Sequence, residues 1–179
     1  MSEALPTGVE DVAQWANVVI ALCALVVAIV AIFLTWKTLR NQIRHNKLSV
    51  RPIPFIALSK RDGMAVALEN HGFGPFRIDL FEIVRSGAVL QNIVEILPEN
   101  PPPGVEVEFT TGMFQRTFPA NEKINIFRVT INTPSSLALS YLNQVKLNIG
   151  DTIIKVGYSD IYDDKFDIHQ KELSWLCRD

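Results

Sequence analysis

The distribution of hydrophobic residues divides the chain into two regions with different periodicity. Residues 18–34 (VVIALCALVVAIVAIFL) form one uninterrupted apolar run of 17 residues without a charge. Trp15 precedes this run and Trp36 follows it, 21 positions further on. A helix between them would measure about 31 Å, which matches the hydrocarbon thickness of a bilayer. Because tryptophan favours both bilayer interfaces, the pattern predicts a transmembrane helix over residues 15–36, preceded by a tail of residues 1–14.

The residues after the apolar run predict its orientation. Trp36, Leu39 and Ile43 recur at helical spacing, which predicts a juxtamembrane helix over residues 37–50. Basic side chains fill its other faces, whereas only acidic charges precede the run. Because short basic flanks stay in the cytoplasm, we expect the N-terminus outside and no cleaved signal peptide. The basic residues either rest on anionic lipid headgroups or only fix the topology. The expected membrane-interface anchors are Trp15, Trp36, Lys37, Arg40, Arg44 and Lys47.

Small residues follow one heptad seam along the predicted span. Every alanine within residues 18–34 lies on this seam, and all other positions of the run are large apolar residues or cysteine. Helices associate in bilayers through close backbone approach and occasional polar bonds, and a 3–4 spacing suits a left-handed crossing. The seam therefore predicts association with another membrane protein or a second copy, unless the alanines align by chance. The association seam consists of Asn17, Ala21, Ala24, Ala28, Ala31 and Thr35.

From residue 51 onwards the apolar period changes from that of a helix to that of a strand. Val105 and Val107 alternate with glutamates, Ile154 and Val156 alternate with polar residues, and Phe166 and Ile168 do the same. The apolar phase slips by one residue within residues 78–83 and again within residues 124–131. Such a slip is produced by a β-bulge, or by a strand that is covered on both faces.

One segment of the C-terminal region departs from strand periodicity. Leu137, Tyr141, Leu142 and Val145 recur at helical spacing after Pro134, which predicts a short helix with Ser135 or Ser136 as its N-cap. The remaining seven or eight short strands predict a mainly β body over residues 51–179. We expect an antiparallel, immunoglobulin-like β-sandwich, with a closed barrel as the alternative.

Two turn-rich stretches of the body carry a resemblance to other proteins. They are residues 70–75 (NHGFGP), which follow a predicted strand, and residues 156–163 (VGYSDIYD) near the C-terminus. On these pieces the chain is similar to a broad set of bacterial single-span membrane proteins with a small cytoplasmic β-sandwich domain. The resemblance implies a bacterial inner-membrane location with the C-terminal domain in the cytoplasm, and it implies no activity.

Charge and cysteine content narrow the classes of function. The formal net charge of −2 argues against general nucleic-acid binding, which normally requires a basic excess. Cys23 lies in the apolar run and Cys177 lies near the end of the chain, so a disulfide between them is not expected. We therefore expect a reducing compartment for the body and no nucleic-acid partner.

The body has no strong sequence signature of a phosphate-binding, metal-binding or catalytic site. The glycines around His71 favour a connection between strands over a phosphate loop, since strand-like residues follow them. The acidic cluster of Asp160, Asp163, Asp164 and Asp167 lacks the spacing and glycine of a calcium loop, and predicts a hairpin with Asp163 and Asp164 at its tip. No serine, cysteine or histidine spacing indicates a nucleophile with its base. We therefore predict no catalytic residue, metal or cofactor, and no ligand is identified.

Three classes of function remain on sequence grounds. The first is a membrane-anchored protein-interaction module that presents a cytoplasmic β-domain and associates through its transmembrane helix. The second is a homo-oligomeric membrane sensor or effector, for example in bacterial defence, whose β-domain binds a ligand. The third, a hydrolase, has little support because His71 and His169 have no identifiable partner residues. We expect the first.

Overall fold

A computed structural model of the chain describes residues 7–61, 63–90 and 92–177, with only the backbone described for residues 7–11 and 13. The chain forms two compact units, with the boundary between Leu48 and Ser49. The first is a single helix, and the second is a β-rich body that contains one further α-helix. Strands dominate the body and all pair antiparallel, which agrees with the predicted fold class and with a β-sandwich.

The first helix, α1, is unbroken over Thr7–Ser49, a length of 43 residues. Its stretch Gln14–Ser49 is long and apolar enough to cross a membrane, and the most apolar window of that stretch is not buried against the rest of the protein. Helical structure continues through residues 37–49, as the spacing of Trp36, Leu39 and Ile43 predicted. Helical structure also covers residues 7–14 of the predicted N-terminal tail, and residues 1–6 lie outside the described residues. The helix ends before Pro52, which disfavours helical geometry in the preceding residue.

The strands of the body form two sheets. The first sheet has the order β1-β2-β7-β5, and the second has the order β4-β3-β8-β9, with the short strand β6 also pairing with β3. The nine strands of the described residues are β1 Pro54–Ser59, β2 Gly63–Asn70, β3 Phe76–Arg85, β4 Ala88–Leu90, β5 Val105–Phe109, β6 Thr117–Phe118, β7 Lys123–Ile131, β8 Thr152–Asp160 and β9 His169–Glu172. Short 3₁₀ helices cover Ile93–Ile96 and Ser174–Cys177.

Both phase slips in the sequence correspond to bulges. In β3 the pairing with β8 passes over Asp79, and in β7 the pairing with β2 passes over Ile126. The second bulge allows the adjacent residues Ile126 and Phe127 to be fully buried. An ordinary strand would turn one of two successive side chains outward, so the bulge adds an apolar residue to the core.

The second helix, α2, covers Ser136–Ile149 and confirms the predicted helix and its N-cap. The Ser135 hydroxyl oxygen accepts a hydrogen bond from the Ala138 amide at 3.1 Å. The buried face differs in part from the prediction, because Leu137 is 65% exposed. The side chains that α2 buries are Ala138, Tyr141, Val145 and Ile149.

The strand predicted from Phe166 and Ile168 is misplaced. The structure begins β9 only at His169, and before it a single bridge joins Ser159 to Lys165. Phe166 instead stacks on the ring of Tyr158, with the centroids 5.1 Å apart. Phe166 is therefore held beside β8 by this ring contact and by one backbone hydrogen bond from its N–H to the Tyr158 carbonyl oxygen at 3.2 Å, whereas Ile168 is 53% exposed.

The core lies between the two sheets and includes the buried face of α2. Its largest fully buried side chains include three phenylalanines, of which Phe76 and Phe118 stack with centroids 5.1 Å apart. Since burial of each such side chain contributes roughly 1.5–3 kcal/mol, the body has a hydrophobic core of its own. Residues at the centre of this core are Ile56, Met64, Leu68, Phe76, Ile78, Phe118, Phe127 and Ile154.

Candidate functional site

The predicted association seam lies along α1 with every member exposed. Its positions repeat at three- and four-residue intervals on an unbroken helix, so they share one face. The Thr35 hydroxyl donates to the Ala31 carbonyl oxygen at 2.8 Å and is therefore used within the helix. The carboxamide of Asn17 is then the strongest polar group on the seam for a bond to a neighbouring helix.

The predicted interface anchors occupy the same helix at both ends of the apolar run. Trp15 and Trp36 are exposed, and the Arg40 guanidinium lies 5.5 Å from the centroid of the Trp36 ring. This stacking places a cation next to an amphipathic ring, a pair that suits the headgroup region of a bilayer. Lys37 and Arg44 are exposed, whereas Lys47 is partly covered.

The chain enters the body through residues 50–53, which we call the linker segment. This segment lies directly against the loop that joins β2 to β3, residues 71–75. A β-carbon placed on Gly74 would be 1.8 Å from the Val50 carbonyl oxygen, and one on Gly72 would be 2.4 Å from the Arg51 carbonyl oxygen. The two glycines are therefore required for this close approach. The prediction of a strand-to-strand connection here is confirmed.

Asn70 fastens the linker segment to the body. Its side chain is 1% exposed, and its amide nitrogen donates to the carbonyl oxygens of Gly74 at 2.8 Å and Pro119 at 3.0 Å. Its amide oxygen accepts from the backbone N–H groups of Gly72 at 3.0 Å and Ile53 at 3.3 Å. One buried side chain thus satisfies backbone groups from three separate segments, which is how buried polar residues impose a unique local geometry.

A groove of about 670 Å³ runs beside the linker segment, and we call it the linker groove. Residues 51–55 form one wall, and Tyr158 with residues 165–169 forms the other. The Arg51 guanidinium lies 5.3 Å from the centroid of the Phe166 ring, and thereby connects the two walls. Aromatic and apolar surfaces with a few charged groups are typical of binding clefts.

Two titratable groups in the linker groove are affected by burial. Burial raises the pKa of the Tyr158 hydroxyl. Burial, and after it the positive charge of Lys171, lowers the pKa of the His169 imidazole. His169 Nε2 is buried without a hydrogen-bond partner among the described residues. His169 is therefore neutral near pH 7 and has unused hydrogen-bonding capacity.

The acidic residues near the C-terminus do not converge on one point. The Asp160 carboxylate is buried and accepts from the backbone N–H groups of Tyr162 at 2.8 Å and Asp164 at 3.0 Å. Asp163 lies at the loop and pairs with Arg77 at 3.1 Å. The turn between β8 and β9 thus uses Asp160 as its internal cap, which resembles an Asx-turn more than an ion site.

His71 takes part in a small ionic cluster on the body surface. The Glu69 carboxylate contacts Lys123 Nζ and His71 Nε2, each at 2.7 Å. The bond to Lys123 and then that to His71 keep the pKa of Glu69 below its usual range. Phe55 packs on the His71 ring with the centroids 5.0 Å apart. Among the described residues, no group of three or more His, Cys, Asp or Glu side chains could hold a metal ion.

The role of Asn70 and that of the linker groove were not identified from the sequence. The stretch NHGFGP contains Asn70 and both close-approach glycines, so the motif itself was visible. Its function in holding residues 50–53 was not, because the bond from Ile53 to Asn70 joins residues 17 positions apart and the bond from Asn70 to Pro119 joins residues 49 positions apart. The sequence matches no known protein-family model, and a search of curated proteins gives no match.

Proposed function

We propose that this protein is a single-pass, membrane-anchored interaction module. In this proposal α1 crosses the bacterial inner membrane with the N-terminus outside, and the body binds a partner in the cytoplasm without catalysing a reaction. The observation that carries the proposal is the contrast between the two units. The most apolar window of α1 has no buried residue, while the body has a hydrophobic core of its own. An exposed 17-residue apolar run needs lipid or another helix around it.

The strand order supports an immunoglobulin-like classification of the body. In the lettering of that fold, the order β1-β2-β7-β5 corresponds to A-B-E-D, and β4-β3-β8-β9 corresponds to C′-C-F-G. The helix α2 then occupies the connection between strands E and F. Immunoglobulin-like domains serve many functions, so this likeness supports a binding role only as a scaffold.

The edge strand β5 offers a place for a partner segment. Beside it lies a groove of about 750 Å³ that includes Val107, Phe109 and Tyr141. Phe109 is 48% exposed, and Glu95 and Glu99 are among the lining residues. An extended peptide could add to β5 through backbone hydrogen bonds, with an apolar side chain in the groove and basic side chains near the glutamates. Membrane tethering raises the local concentration, so modest affinity would be sufficient.

The experiment is purification of the tagged full-length protein from its host in mild detergent, followed by identification and sizing of what accompanies it. The variant Ala24→Leu with Ala28→Leu adds bulk to the association seam. The matched control, Val26→Leu with Val30→Leu, adds bulk to the opposite face of α1. We expect a different protein at a fixed ratio that is lost only in the alanine variant. A lone monomer in every sample contradicts association through the seam.

A second variant tests the body surface. Phe109→Ser removes the exposed ring beside β5, and Leu147→Ser removes an exposed apolar side chain from α2 as its control. A partner that is lost with Phe109→Ser but retained with Leu147→Ser is captured by the body. Retention of the partner in both variants excludes the β5 groove as the capture site.

The alternative function is a homo-oligomeric membrane sensor or effector. The linker groove favours it, because one wall of the groove is the segment that follows α1. A ligand in the groove would contact residues directly connected to the membrane helix. This function predicts a defined cluster of identical chains in detergent, and membrane leakage on overexpression that the alanine variant abolishes. A heterologous partner without self-association would contradict it.

A further inference from the structure

The outer face of the first sheet contains a depression with an unusual lining. Alanines occupy three positions of β1 and β2 that line this depression, namely Ala57, Ala65 and Ala67, and the register places Ala57 directly opposite Ala67. Ala57 and Ala65 are partly exposed, whereas Ala67 is 3% exposed. Solvent-facing strand positions usually carry longer side chains, and alanine is depleted in strands. The small side chains leave a cavity of about 240 Å³, which we call the outer-face pocket.

Basic residues surround the three alanines, which form the floor of the outer-face pocket. Arg61, Lys123 and Arg128 line the outer-face pocket, and no carboxylate is among its lining residues. Acids of the surrounding surface approach two of these cations, since Glu69 bonds Lys123 and Glu108 lies opposite Arg128 on β5. Because the whole chain has a net charge of −2, three cations around one small cavity are a local reversal of the overall balance. Such a concentration attracts anions.

A polar group at the same place has unused hydrogen-bonding capacity. Asn125 lines the pocket, and its Oδ1 is buried without a partner among the described residues. An unsatisfied buried acceptor is unfavourable, and a hydrogen-bond donor from a ligand would relieve this. Ser59 and Thr130 add hydroxyl groups to the lining. The pocket therefore combines cations, a flat apolar floor and an acceptor.

We propose that the outer-face pocket binds a nucleoside phosphate. The phosphate would lie against Arg128 and Lys123, since guanidinium and ammonium groups form strong charge-assisted bonds with phosphate oxygens. A planar base would cover the alanine floor and present an N–H donor to Asn125. A volume of about 240 Å³ restricts the ligand to a small molecule. This site is independent of partner capture by α1 or β5.

The test is titration of AMP into the full-length protein in detergent micelles, followed by calorimetry. Adenosine, which lacks the anion, and inorganic phosphate, which lacks the flat part, are titrated separately. We expect AMP to bind more tightly than either. Arg128→Gln should weaken AMP binding about tenfold to a hundredfold, because a charge-assisted bond is lost. Arg85→Gln, at the end of β3 in the other sheet, should leave binding unchanged.

A second variant separates shape from charge. Ala65→Leu fills the floor from a partly exposed position while every cation remains, and should abolish AMP binding without lowering the melting temperature appreciably. Equal binding of AMP and adenosine would overturn the proposal, as would no AMP binding at millimolar concentration. Equal binding of AMP and inorganic phosphate would also overturn it, because the nucleoside would then contribute nothing to binding. None of these results depends on which protein co-purifies, so this proposal and the interaction function can fail separately.

Discussion

At the residue scale, the conformation of the linker segment depends on Asn70. Its carboxamide joins the β2–β3 loop, residues 118–119 and the linker segment through hydrogen bonds. Both the amide nitrogen and the amide oxygen of Asn70 bond to backbone groups, so the buried side chain and these backbone groups satisfy one another. The geometry of residues 50–53 is therefore set by one polar side chain together with two glycines.

Replacement of this residue gives the first prediction. Asn70→Ala should lower the free energy of unfolding of the body by about 3 kcal/mol, since several buried backbone groups lose their partners. The corresponding fall in melting temperature is on the order of 10 °C for a domain of this size. Thermal unfolding of the full chain in detergent, followed by circular dichroism, measures the change. Asn132→Ala, at an exposed position, is the control and should shift the midpoint very little. Equal shifts in the two variants would contradict the role of Asn70.

At the scale of elements, α2 was the most predictable part of the body. Its N-cap hydroxyl, its apolar spacing and the preceding proline are all local signals, and the structure realises them over Ser136–Ile149. The exposure of Leu137 shows the limit of such signals. The helix has apolar residues around more than half of its circumference, and only the position of the sheets determines which of them face inward.

The cap of α2 gives a prediction for this element. Ser135→Ala removes the acceptor of the Ala138 amide and should cost about 1 kcal/mol of stability. Ser140→Ala, at an exposed interior position of the same helix, should be neutral or slightly stabilising, because alanine has the higher helix propensity. Chemical denaturation of the two variants side by side measures the difference. A Ser140→Ala variant that is the less stable of the two would exclude the capping explanation.

At the scale of the whole molecule, the order of charges around the apolar run predicts the topology. A fluorescent protein fused to the C-terminus should fluoresce, and alkaline phosphatase fused at the same point should be inactive, because the C-terminus is expected in the cytoplasm. Neutralising the basic flank should allow part of the population to invert and should produce phosphatase activity. The four changes are Lys37→Gln, Arg40→Gln, Arg44→Gln and Lys47→Gln.

The matched control neutralises four basic residues of the body, which lie too far from the span to direct its insertion. These changes are Arg85→Gln, Lys155→Gln, Lys165→Gln and Lys171→Gln, and we expect the phosphatase fusion to stay inactive. Phosphatase activity in the fusion of the unaltered chain would show that the body lies outside the cytoplasm, and the proposed orientation would then be wrong.

The sequence by itself determined the long apolar helix, the strand-rich body, the positions of both phase slips and the start of α2. These are properties of contiguous segments. A helix satisfies its backbone hydrogen bonds internally, and a change of apolar phase lies within one strand, so neither requires knowledge of distant residues. Only the strand pairing showed that each slip is a bulge and not a strand covered on both faces.

Only the tertiary structure decided which residues meet across the body. It joined Asn70 to residues 118–119 and brought Ala57, Ala65 and Arg128 together around one pocket. It also placed Phe166, where a strand was expected, outside the strands and against the ring of Tyr158. In sequence, a solvated asparagine in a turn and a buried one that bonds several backbone groups look alike, and so do a lone surface arginine and one at the rim of a pocket. The difference arises from long-range packing, because burial and partner geometry are set by segments far apart in the chain.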